Sequence, residues 1–291
     1  MLETLDLPLG PKARGKVRDL WDLDDRRIIV TTDRQSAFDR VLGTVPYKGQ
    51  VLTAMAAWWF GRTTDIVPNH LLGVPDPNVM VVRRARVWPV EMVIRGYITG
   101  VTTTSLWYAY SRGEREIYGL PFPDGLRKNQ ALPEPLITPT TKESDGGHDQ
   151  KLTRDELLAR GIVPRDVYEA MEEATRRLFA RGQQLASERG FLLVDTKYEF
   201  GDVDGCLTLV DEIHTVDSSR FWRADSYEER FAAGREPDTF DKEFLRRWYV
   251  DHGYDGIGVP PPMPADLAER MSRLYVEAYE GVTGERFVPD D

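Results

Sequence analysis

Two apolar segments near residue 200 constrain the fold more than any other part of the chain. Residues 191–199 (FLLVDTKYE) and 207–213 (LTLVDEI) are rich in Leu, Val, Tyr and Phe, a composition typical of buried β-strands. The sequence GDVDG between them predicts a β-hairpin. An acidic residue in such a strand must pair with a cation or bind a metal ion, because an isolated buried carboxylate is very costly. The hairpin therefore predicts both a sheet and a charged site on it.

The carboxylates of this hairpin are candidate ligands for a divalent cation. Asp195, Lys197 and Glu199 alternate along the first segment, and the second segment and its continuation carry Asp211 and Asp217. Mg²⁺ takes oxygen ligands and keeps several waters, so two carboxylates and nucleotide phosphates would complete its shell. Glu199 and Asp211 suit this role if the hairpin register places them on one face, whereas a one-residue slip would separate them. The alternative is a structural set of ion pairs around Lys197.

The order of strand and helix signals is typical of the α+β class. Residues 1–90 predict a small, strand-rich lobe, and residues 91–291 predict a larger lobe that carries the hairpin and the C-terminal helices. The connection at 119–150 is rich in Pro, Gly and Thr and is predicted as a loop. Further strands are predicted at 17–23 and at 27–32. Residues 80–98 are predicted to form two more strands, separated near Trp88 and Pro89.

Helices are predicted by periodicity and by their end signals. Thr153 and Glu156 form a capping box ahead of a short helix that stops at Gly161. Pro164 begins a longer helix with an apolar stripe. The remaining predicted helices are a buried one at 51–60 and two near the C-terminus, at about 241–251 and 265–279.

The composition excludes several classes of protein. The 291 residues carry a net charge of −10 and the pI is about 5.1, which disfavours binding to nucleic acid or to anionic membranes, since phosphate affinity comes largely from clustered Lys and Arg. No stretch approaches the ~18 apolar residues of a membrane helix, and the first residues lack the apolar segment of a secretory signal. Cys206 is the single cysteine, which suits a reducing compartment. We therefore expect a cytoplasmic protein.

Basic residues alternate near the N-terminus. Lys12, Arg14, Lys16 and Arg18 recur at every second position, which in one strand would place all four on the same face. Gly15 lets the backbone approach a ligand closely, and in an acidic chain such a basic face suits a triphosphate. The alternative is a solvated edge strand whose charges deter aggregation.

Two segments combine arginine with hydroxyl side chains. Arg95 lies among β-forming residues, and residues 101–106 (VTTTSL) supply four hydroxyls just after it, a combination that suits a phosphate monoester. Further along, DSSRFW contains Asp217 and Arg220 on either side of two serines, although Asp or Ser at this position also suits helix capping.

A third segment, TPTTKESDGGHD at 138–149, is typical of a mobile lid. It places Lys142, His148 and Asp149 around two glycines, which give the backbone freedom to move. A lone histidine such as His148 is more often a surface residue than a catalyst.

Seven segments together resemble one family, SAICAR synthetase (phosphoribosylaminoimidazole-succinocarboxamide synthase). They occur in the family's order and extend over nearly the whole chain. The segments are GKVRDLW (15–21), TDRQSAFD (32–39), PVEMVIRGYITG (89–100), TKESDGGHD (141–149), LVDTKYEFG (193–201), VDEIHTVDSSRFW (210–222) and FDKEFLRRW (240–248).

The resemblance implies a two-lobed α+β enzyme whose ATP site is similar to those of protein kinases and ATP-grasp ligases. The implied reaction condenses carboxyaminoimidazole ribonucleotide (CAIR) with L-aspartate and ATP, through an acyl phosphate, to give SAICAR, ADP and phosphate in purine biosynthesis. The implied cofactors are ATP and Mg²⁺, the implied partners are small molecules, and a homodimer is compatible with the sequence.

The resemblance also implies a role for each matching residue. Glu199 and Asp211 would hold magnesium. The residues implied to bind ATP are Arg14, Gly15, Lys16, Arg18 and Met92. Those implied to bind the ribonucleotide are Arg95, Ser105 and Arg220 at its phosphate, and Asp195, Lys197 and Asp217 at the remainder. Those implied to surround aspartate or to act in catalysis are Ser36, Lys142, His148 and Asp149, together with Lys197.

One position departs from the family pattern. Many members have Thr-Gly-Ser after the arginine strand, whereas this chain has Thr99-Gly100-Val101 and reaches a serine only at Ser105. If Ser105 takes the place of that serine, the loop carries a short insertion.

Three other functions use some of the same features. A kinase-like small-molecule phosphotransferase would share the ATP site, although the chain has neither an H-R-D nor a D-F-G triplet. A ligase of the same fold acting on another acid is a closer alternative. A non-catalytic nucleotide sensor would need neither a lid nor two metal-binding carboxylates.

Overall fold

Two antiparallel sheets form the framework of the protein, in a computed structural model that describes residues 1–38, 40–141, 150–240 and 242–290. In spatial order, the five-stranded sheet consists of β1 (Lys12–Arg14), β2 (Arg18–Asp22), β3 (Arg26–Thr31), β7 (Val79–Arg83) and β6 (Leu71–Asp76). The six-stranded sheet consists of β11 (Gln130–Ile137), β8 (Arg86–Ile98), β13 (Phe191–Val203) and β14 (Cys206–Val210), with β12 (Thr140–Thr141) paired to β8 and β15 (Ser219–Arg223) paired to β13. Two small hairpins complete the strands, β4 (Arg34–Ala37) with β5 (Arg40–Thr44) and β9 (Glu116–Ile117) with β10 (Leu120–Pro121).

Helices cover the sheets. They are α1 (Lys48–Gly61), α2 (Leu106–Tyr110), α3 (Arg154–Ala159), α4 (Arg165–Ser187), α5 (Ala224–Ala232), α6 (Glu243–Asp251) and α7 (Ala265–Thr283). The longest, α4, packs against β13 and β8, and α7 packs against α1. Within the described ranges, none of the helices combines the length and the apolar character that crossing a bilayer demands.

The central strand β13 is buried along most of its length because both of its faces are covered. On one face, Tyr198 and Phe200 join the main hydrophobic core with Leu178 and Phe179 of α4. The neighbouring strand β8 shows the same alternation, since Met92 and Ile94 are buried in this core. The other face of both strands carries charged side chains, so β8 and β13 separate an apolar core from a polar site.

The α+β class is confirmed, and so are most of the predicted elements. The hairpin of β13 and β14 turns at Asp204 and Gly205, which have the positive φ angles of a tight two-residue turn. The capping box of Thr153 and Glu156 is present at the start of α3. The helices predicted at 51–60, after Pro164, at 241–251 and at 265–279 appear as α1, α4, α6 and α7.

Two predictions about β-structure are wrong. The break predicted at Trp88 and Pro89 lies instead before Arg86, and Pro89 sits inside β8, close to where its register with β13 shifts. A missing N–H is tolerated at such an irregularity. The predicted loop at 119–150 contains β11, an edge strand whose Pro133 and Pro135 fall between the two parts of its register with β8. Edge strands accept proline, which is why the composition concealed this one.

The sequence did not predict α2 and α5, which are short. The division into lobes at residue 90 stays a prediction, and that residue lies within β8.

Candidate active site

A pocket lined mainly by charged side chains lies on the polar face of the six-stranded sheet. The strands β8 and β13 supply its floor through Glu91, Arg95, Asp195 and Lys197. We call it the charged pocket. Its other charged and hydroxyl lining residues come from the loop before α2, from β12, from β13, from the β14–β15 connection, from β15 and from the start of α6: Thr102, Thr104, Ser105, Thr140, Thr196, Asp217, Ser218, Ser219, Arg220, Lys242 and Arg246.

Two arginines flank one carboxylate at the centre of the charged pocket. Arg220 donates a hydrogen bond to Asp195, and Arg95 Nη1 lies 3.8 Å from Asp195 Oδ2. Arg95 is oriented by two further acceptors, the Thr138 hydroxyl at 2.8 Å and the Thr104 carbonyl at 3.1 Å. Two guanidinium groups that converge at one point suit the binding of an anion such as a phosphate.

The loop before α2 brings hydroxyls beside these arginines. Ser105 is 1% exposed, and its hydroxyl lies 2.7 Å from that of Thr102. Gly100 has φ +91°, and a Cβ there would lie 2.4 Å from Ser105 Oγ and 3.2 Å from Arg220 Nη2. Glycine at position 100 is therefore required for Ser105 and Arg220 to come together.

Lys197 lies between two glutamates. Its Nζ donates to Glu91 Oε1 at 2.5 Å and to Glu199 Oε1 at 3.2 Å. Burial lowers the pKa of Lys197, but Glu199 and Glu91 outweigh burial and raise it well above its usual value. Lys197 is accordingly a permanent cation, suited to bind negative charge rather than to exchange a proton.

Asp217 is held by two lysines and a tyrosine hydroxyl from three parts of the chain. Lys48 Nζ at the start of α1 and Lys242 Nζ before α6 each lie 2.9 Å from Asp217 Oδ2, and the Tyr275 hydroxyl of α7 donates to Oδ1 at 2.6 Å. Burial raises the pKa of Asp217, but Lys242 and Lys48 outweigh it, so that the pKa lies below its ordinary value and the carboxylate stays ionised.

A second pocket lies between the two sheets, and we call it the inter-sheet pocket. It has a volume of about 110 Å³. Its apolar walls come from both sheets and from the β7–β8 connection: Leu20, Ile29, Val82, Ala85, Val87 and Val210. Arg18, Glu199 and Asp211 also line it, together with His70. Burial lowers the pKa of His70 to about 4, so this imidazole is neutral near pH 7.

Arg18 connects the N-terminal sheet to the carboxylates of the inter-sheet pocket. Its guanidinium donates to Asp211, and its Nη2 lies 3.0 Å from Glu212 Oε2. Burial lowers the pKa of Arg18, but Asp211 and Glu212 outweigh burial and raise it. Asp211 itself has φ +66°, an uncommon conformation for a residue other than glycine and one that is frequent at functional sites.

Comparison with known proteins agrees with this geometry. The sequence profile of the family described as SAICAR synthetase matches residues 11–260. The chain belongs to the SAICAR synthetase family. A relative from Legionella pneumophila (strain Lens), described as phosphoribosylaminoimidazole-succinocarboxamide synthase, is 52% identical over 292 residues, which is 99% of this chain and 93% of its own length.

Solved structures of SAICAR synthetase family members share the fold. SAICAR synthase from Saccharomyces cerevisiae, solved with SAICAR, is similar with a TM-score of 0.84 and 32% identity over 99% of both chains. A SAICAR synthetase solved in complex with ADP has a TM-score of 0.72 and 24% identity, over 97% of this chain and 100% of its own, which shows the common fold.

The structure gathers the predicted site residues of this SAICAR synthetase family member into the two pockets. In the charged pocket lie Arg95, Ser105, Asp195, Lys197, Asp217 and Arg220. In the inter-sheet pocket lie Arg18, Glu199 and Asp211. Lys197 has the expected ion pairs, and Glu199 and Asp211 share one pocket, so the magnesium role of these two carboxylates stays a prediction.

Several expected placements are wrong. The four basic residues from Lys12 to Arg18 do not form one face, because the chain turns between β1 and β2 at residues 15–17. Arg14, Gly15 and Lys16 are exposed at this turn. Arg34 stabilises the turn, because its guanidinium donates hydrogen bonds to the carbonyls of Gly15 and Lys16 at 3.1 and 3.0 Å.

Four further residues are placed differently from the simplest expectation. Met92 points into the apolar core and is 0% exposed, and it lines neither of the two pockets. Asp211 and Asp217 follow the end of β14 at Val210 instead of lying on that strand. Ser36 lies on β4 and is 9% exposed. Its neighbour Gln35 contacts Tyr275, which in turn contacts Asp217 of the charged pocket.

Lys142, His148 and Asp149 lie outside the described residues, so the lid and the roles implied for them stay predictions.

Sequence reasoning missed several charged residues of the site. Lys242 and Arg246 are four residues apart in FDKEFLRRW, a spacing that puts both on one face at the start of α6 and could have identified them. Glu91 alternates with Arg95 on β8 and could have been found by the same argument. Lys48, fully buried at the start of α1, has no distinguishing pattern in the sequence.

Magnesium fits the carboxylates of the inter-sheet pocket. In the parts of the chain that the structure describes, no group of three or more His, Cys, Asp and Glu residues is arranged to hold a metal by itself. A nucleotide-bound Mg²⁺ needs only one or two carboxylates, since phosphates and waters fill the rest of its shell. Each carboxylate has about four acceptor positions, so the ion pairs of Glu199 and Asp211 leave them capacity for a cation.

Proposed function

We propose that the charged pocket binds the ribonucleotide and aspartate, and that the inter-sheet pocket binds ATP. The protein is an ATP-dependent ligase that condenses CAIR with L-aspartate to SAICAR in purine biosynthesis. One contact carries the assignment of the two pockets: Lys197 lines the charged pocket and its ammonium lies 3.2 Å from Glu199, which lines the inter-sheet pocket. The two pockets therefore meet at the point where a phosphoryl group would pass between their ligands.

The reaction requires the two pockets to meet, because a phosphoryl group passes from ATP to CAIR. A carboxylate resists attack by an amine because its leaving group would be oxide. Transfer of the γ-phosphoryl group from ATP to the carboxylate oxygen of CAIR gives an acyl phosphate and ADP. The amine of aspartate then attacks the acyl carbon, the C–O bond to phosphate breaks, and phosphate leaves as the amide forms. Both steps depend mainly on positioning and on stabilisation of negative charge.

The ribonucleotide phosphate is assigned to the end of the charged pocket where Arg95 and Arg220 converge with Ser105. Planar guanidinium groups bind phosphate through paired hydrogen bonds, and the Ser105 hydroxyl adds another donor. The side chain of Arg95 is 7% exposed and that of Arg220 is 14% exposed, so a phosphate here is largely shielded from water, which strengthens each charged hydrogen bond.

Lys197 is assigned to the reacting carboxylate. It remains charged at all physiological pH values, and it lies at the junction of the pockets. A fixed ammonium at this position offsets the repulsion between the incoming phosphoryl group and the carboxylate. Lys242 and Arg246 add positive charge on the α6 side of the pocket, where they offset negative charge of the ribonucleotide as well as that of aspartate.

ATP is assigned to the inter-sheet pocket because the pocket has an apolar part and a charged part. The apolar walls suit a planar purine, and the β7–β8 connection at Ala85 offers backbone groups at the edge of those walls. The charged residues Arg18, Glu199 and Asp211 suit the triphosphate and its metal ion. Mg²⁺ held by Glu199 and Asp211 would neutralise phosphate charge and orient the terminal phosphate.

The remaining details stay predictions. Asp149 and His148 are the candidates for the base that takes a proton from the amine of aspartate. A cytoplasmic location is supported by the single cysteine, Cys206, which is exposed and free. A homodimer is likewise a prediction.

A coupled assay of ADP release tests the assignment of function. The ligase should release ADP only when CAIR and aspartate are both present. Release with CAIR alone at a comparable rate would favour a phosphotransferase, and tight nucleotide binding without any release would favour a sensor. Replacing aspartate by glutamate serves as the matched control, since it differs from aspartate by one methylene group.

A further inference from the structure

The C-terminal helix α7 reaches the charged pocket from outside the part of the chain that the family profile covers. The profile ends at residue 260, and α7 spans Ala265–Thr283. Tyr275, near the middle of α7, is 1% exposed. Its hydroxyl oxygen lies 2.6 Å from Asp217 Oδ1 and 3.0 Å from Gln35 Oε1.

The hydroxyl can donate to only one of these two acceptors at a time, because it carries a single hydrogen. The ionised Asp217 is the stronger acceptor, since charged hydrogen bonds are about twice as strong as neutral ones. If the Gln35 amide is rotated by 180°, its NH₂ group donates to the Tyr275 oxygen, and the network is complete. Tyr275 therefore links the β4 hairpin to Asp217.

Asp217 in turn fixes a cation of the pocket. Its second oxygen, Oδ2, lies 2.9 Å from both Lys48 and Lys242. Lys48 is fully buried, whereas the side chain of Lys242 is 13% exposed and lines the charged pocket. The orientation of the carboxylate, set at Oδ1 by Tyr275, therefore decides where the ammonium of Lys242 sits in the pocket.

We propose that Tyr275 is a positioning residue for the ribonucleotide: it orients Asp217, and through Asp217 it places Lys242 in the charged pocket. The inference rests on the proposed function of that pocket. It extends the active site to α7, a helix that packs on α1 and that contributes to the pocket through this hydroxyl.

The test compares two tyrosine-to-phenylalanine variants of the same helix in the full-length protein. Tyr275→Phe removes the hydroxyl on Asp217 and keeps the ring. The matched control is Tyr279→Phe, one turn further along α7, where the hydroxyl lies 3.2 Å from Glu285 Oε2 instead. We expect the KM for the ribonucleotide to rise about tenfold in Tyr275→Phe, as for loss of one charged hydrogen bond. The KM for ATP should stay within about twofold, and Tyr279→Phe should leave all constants unchanged.

A double-mutant cycle separates positioning from a structural role. In an Asp217→Asn background, Tyr275→Phe should have no further effect on the KM for the ribonucleotide, because the group through which it acts is gone. Thermal unfolding of each variant confirms that the molecules compared are folded. A ribonucleotide KM within twofold of wild type in Tyr275→Phe, or an unchanged KM with only a lower Tm, would overturn the proposal.

Failure of this inference is distinguishable from failure of the proposed function. Arg95→Ala tests the pocket without involving Tyr275. If Arg95→Ala raises the KM for the ribonucleotide and Tyr275→Phe does not, the pocket is correct and the positioning role is wrong. If neither variant raises it, the ribonucleotide binds elsewhere and both proposals are wrong.

Discussion

The charged pocket and the inter-sheet pocket share β8 and β13 but are built in opposite ways. In the charged pocket, five cationic side chains contributed by separate segments converge, among them Arg95, Lys197 and Arg220. In the inter-sheet pocket, apolar side chains of both sheets form much of the wall, and the charged side chains are those of Arg18, Arg27, Arg83, Glu199 and Asp211.

The difference matches what each pocket is proposed to recognise. A phosphate or a carboxylate is recognised by ion pairs in a shielded site, whereas a planar base is recognised by apolar contact area. The two pockets meet at the ion pair of Lys197 and Glu199. Changes at this junction should therefore stop the reaction, and changes on either side should affect one substrate only.

The largest effect is expected at the carboxylates proposed to hold magnesium. Glu199→Gln and Asp211→Asn should each lower kcat on the order of 10³-fold, because metal stabilisation of charge is worth several kcal/mol. The control is Asp202→Asn, on the same hairpin beyond Glu199. Steady-state kinetics over a range of Mg²⁺ concentrations provide the measurement. Near-normal kcat in both variants would disprove the metal assignment.

The charged pocket can be tested by removing one arginine. Arg95→Ala should raise the KM for the ribonucleotide about 10²-fold, since truncating one partner of a buried charged contact costs 2–5 kcal/mol or more. The KM for ATP should hardly change. Arg177→Ala, which removes the same charge from the exposed surface of α4, is the control. An equal rise in both KM values would mean that the two pockets are not separate.

Low pH should destabilise the folded protein at β13, the strand that both pockets share. Beneath β13, His214 Nε2 lies 2.5 Å from the Tyr198 hydroxyl, and burial lowers the pKa of His214 from 6.5 to about 3. Between these two values the unfolded chain binds a proton that the folded protein does not, so stability falls as the pH falls below 6.5. The slope per such group is at most about 1.4 kcal/mol per pH unit.

Denaturant unfolding at several pH values between 7 and 5 measures this slope. His214→Phe should lower this slope by up to about 1.4 kcal/mol per pH unit, because it removes a group that binds a proton only in the unfolded chain. The control is His252→Gln, which removes an imidazole from the exposed surface. An unchanged slope in His214→Phe would show that acid acts elsewhere.

The smallest effect is expected from two valines of one strand. Val87 of β8 lines the inter-sheet pocket, and Val93, six residues along, lines the charged pocket. Val87→Ala should raise the KM for ATP about threefold through lost apolar contact, with the KM for the ribonucleotide unchanged. Val93→Ala should show the reverse pattern. The same pattern in both variants would contradict the separation of the pockets.

Local patterns predicted much of the fold because they reflect local physics. The capping box at Thr153, the stripe of α4 and the turn at Asp204 and Gly205 depend on neighbours within a few residues. The edge strand β11 escaped prediction because its prolines, read locally, indicate a loop, and only pairing with β8 makes the segment a strand.

The same distinction applies to the site. Arg95, Asp195, Lys197 and Glu199 could be found from alternation on strands that the sequence identifies. The basic residues before β2 were misplaced because no local signal distinguishes a continuous strand from a turn at 15–17. Lys48 and Tyr275 could not be found at all, since a buried lysine or tyrosine in an apolar helix has the same pattern whether or not it contacts Asp217.

The sequence by itself determined the family, the α+β class and the residue types that are proposed to bind phosphate, carboxylate and metal. Only the tertiary structure decided that Glu199 lies beside Lys197 at the junction of two pockets, and that Lys48, Asp217 and Tyr275 form one network. The physical reason is separation along the chain. Lys48 and Tyr275 are brought to Asp217 from distant positions by the packing of α1 and α7, and no periodicity within a segment encodes which other segment will pack against it.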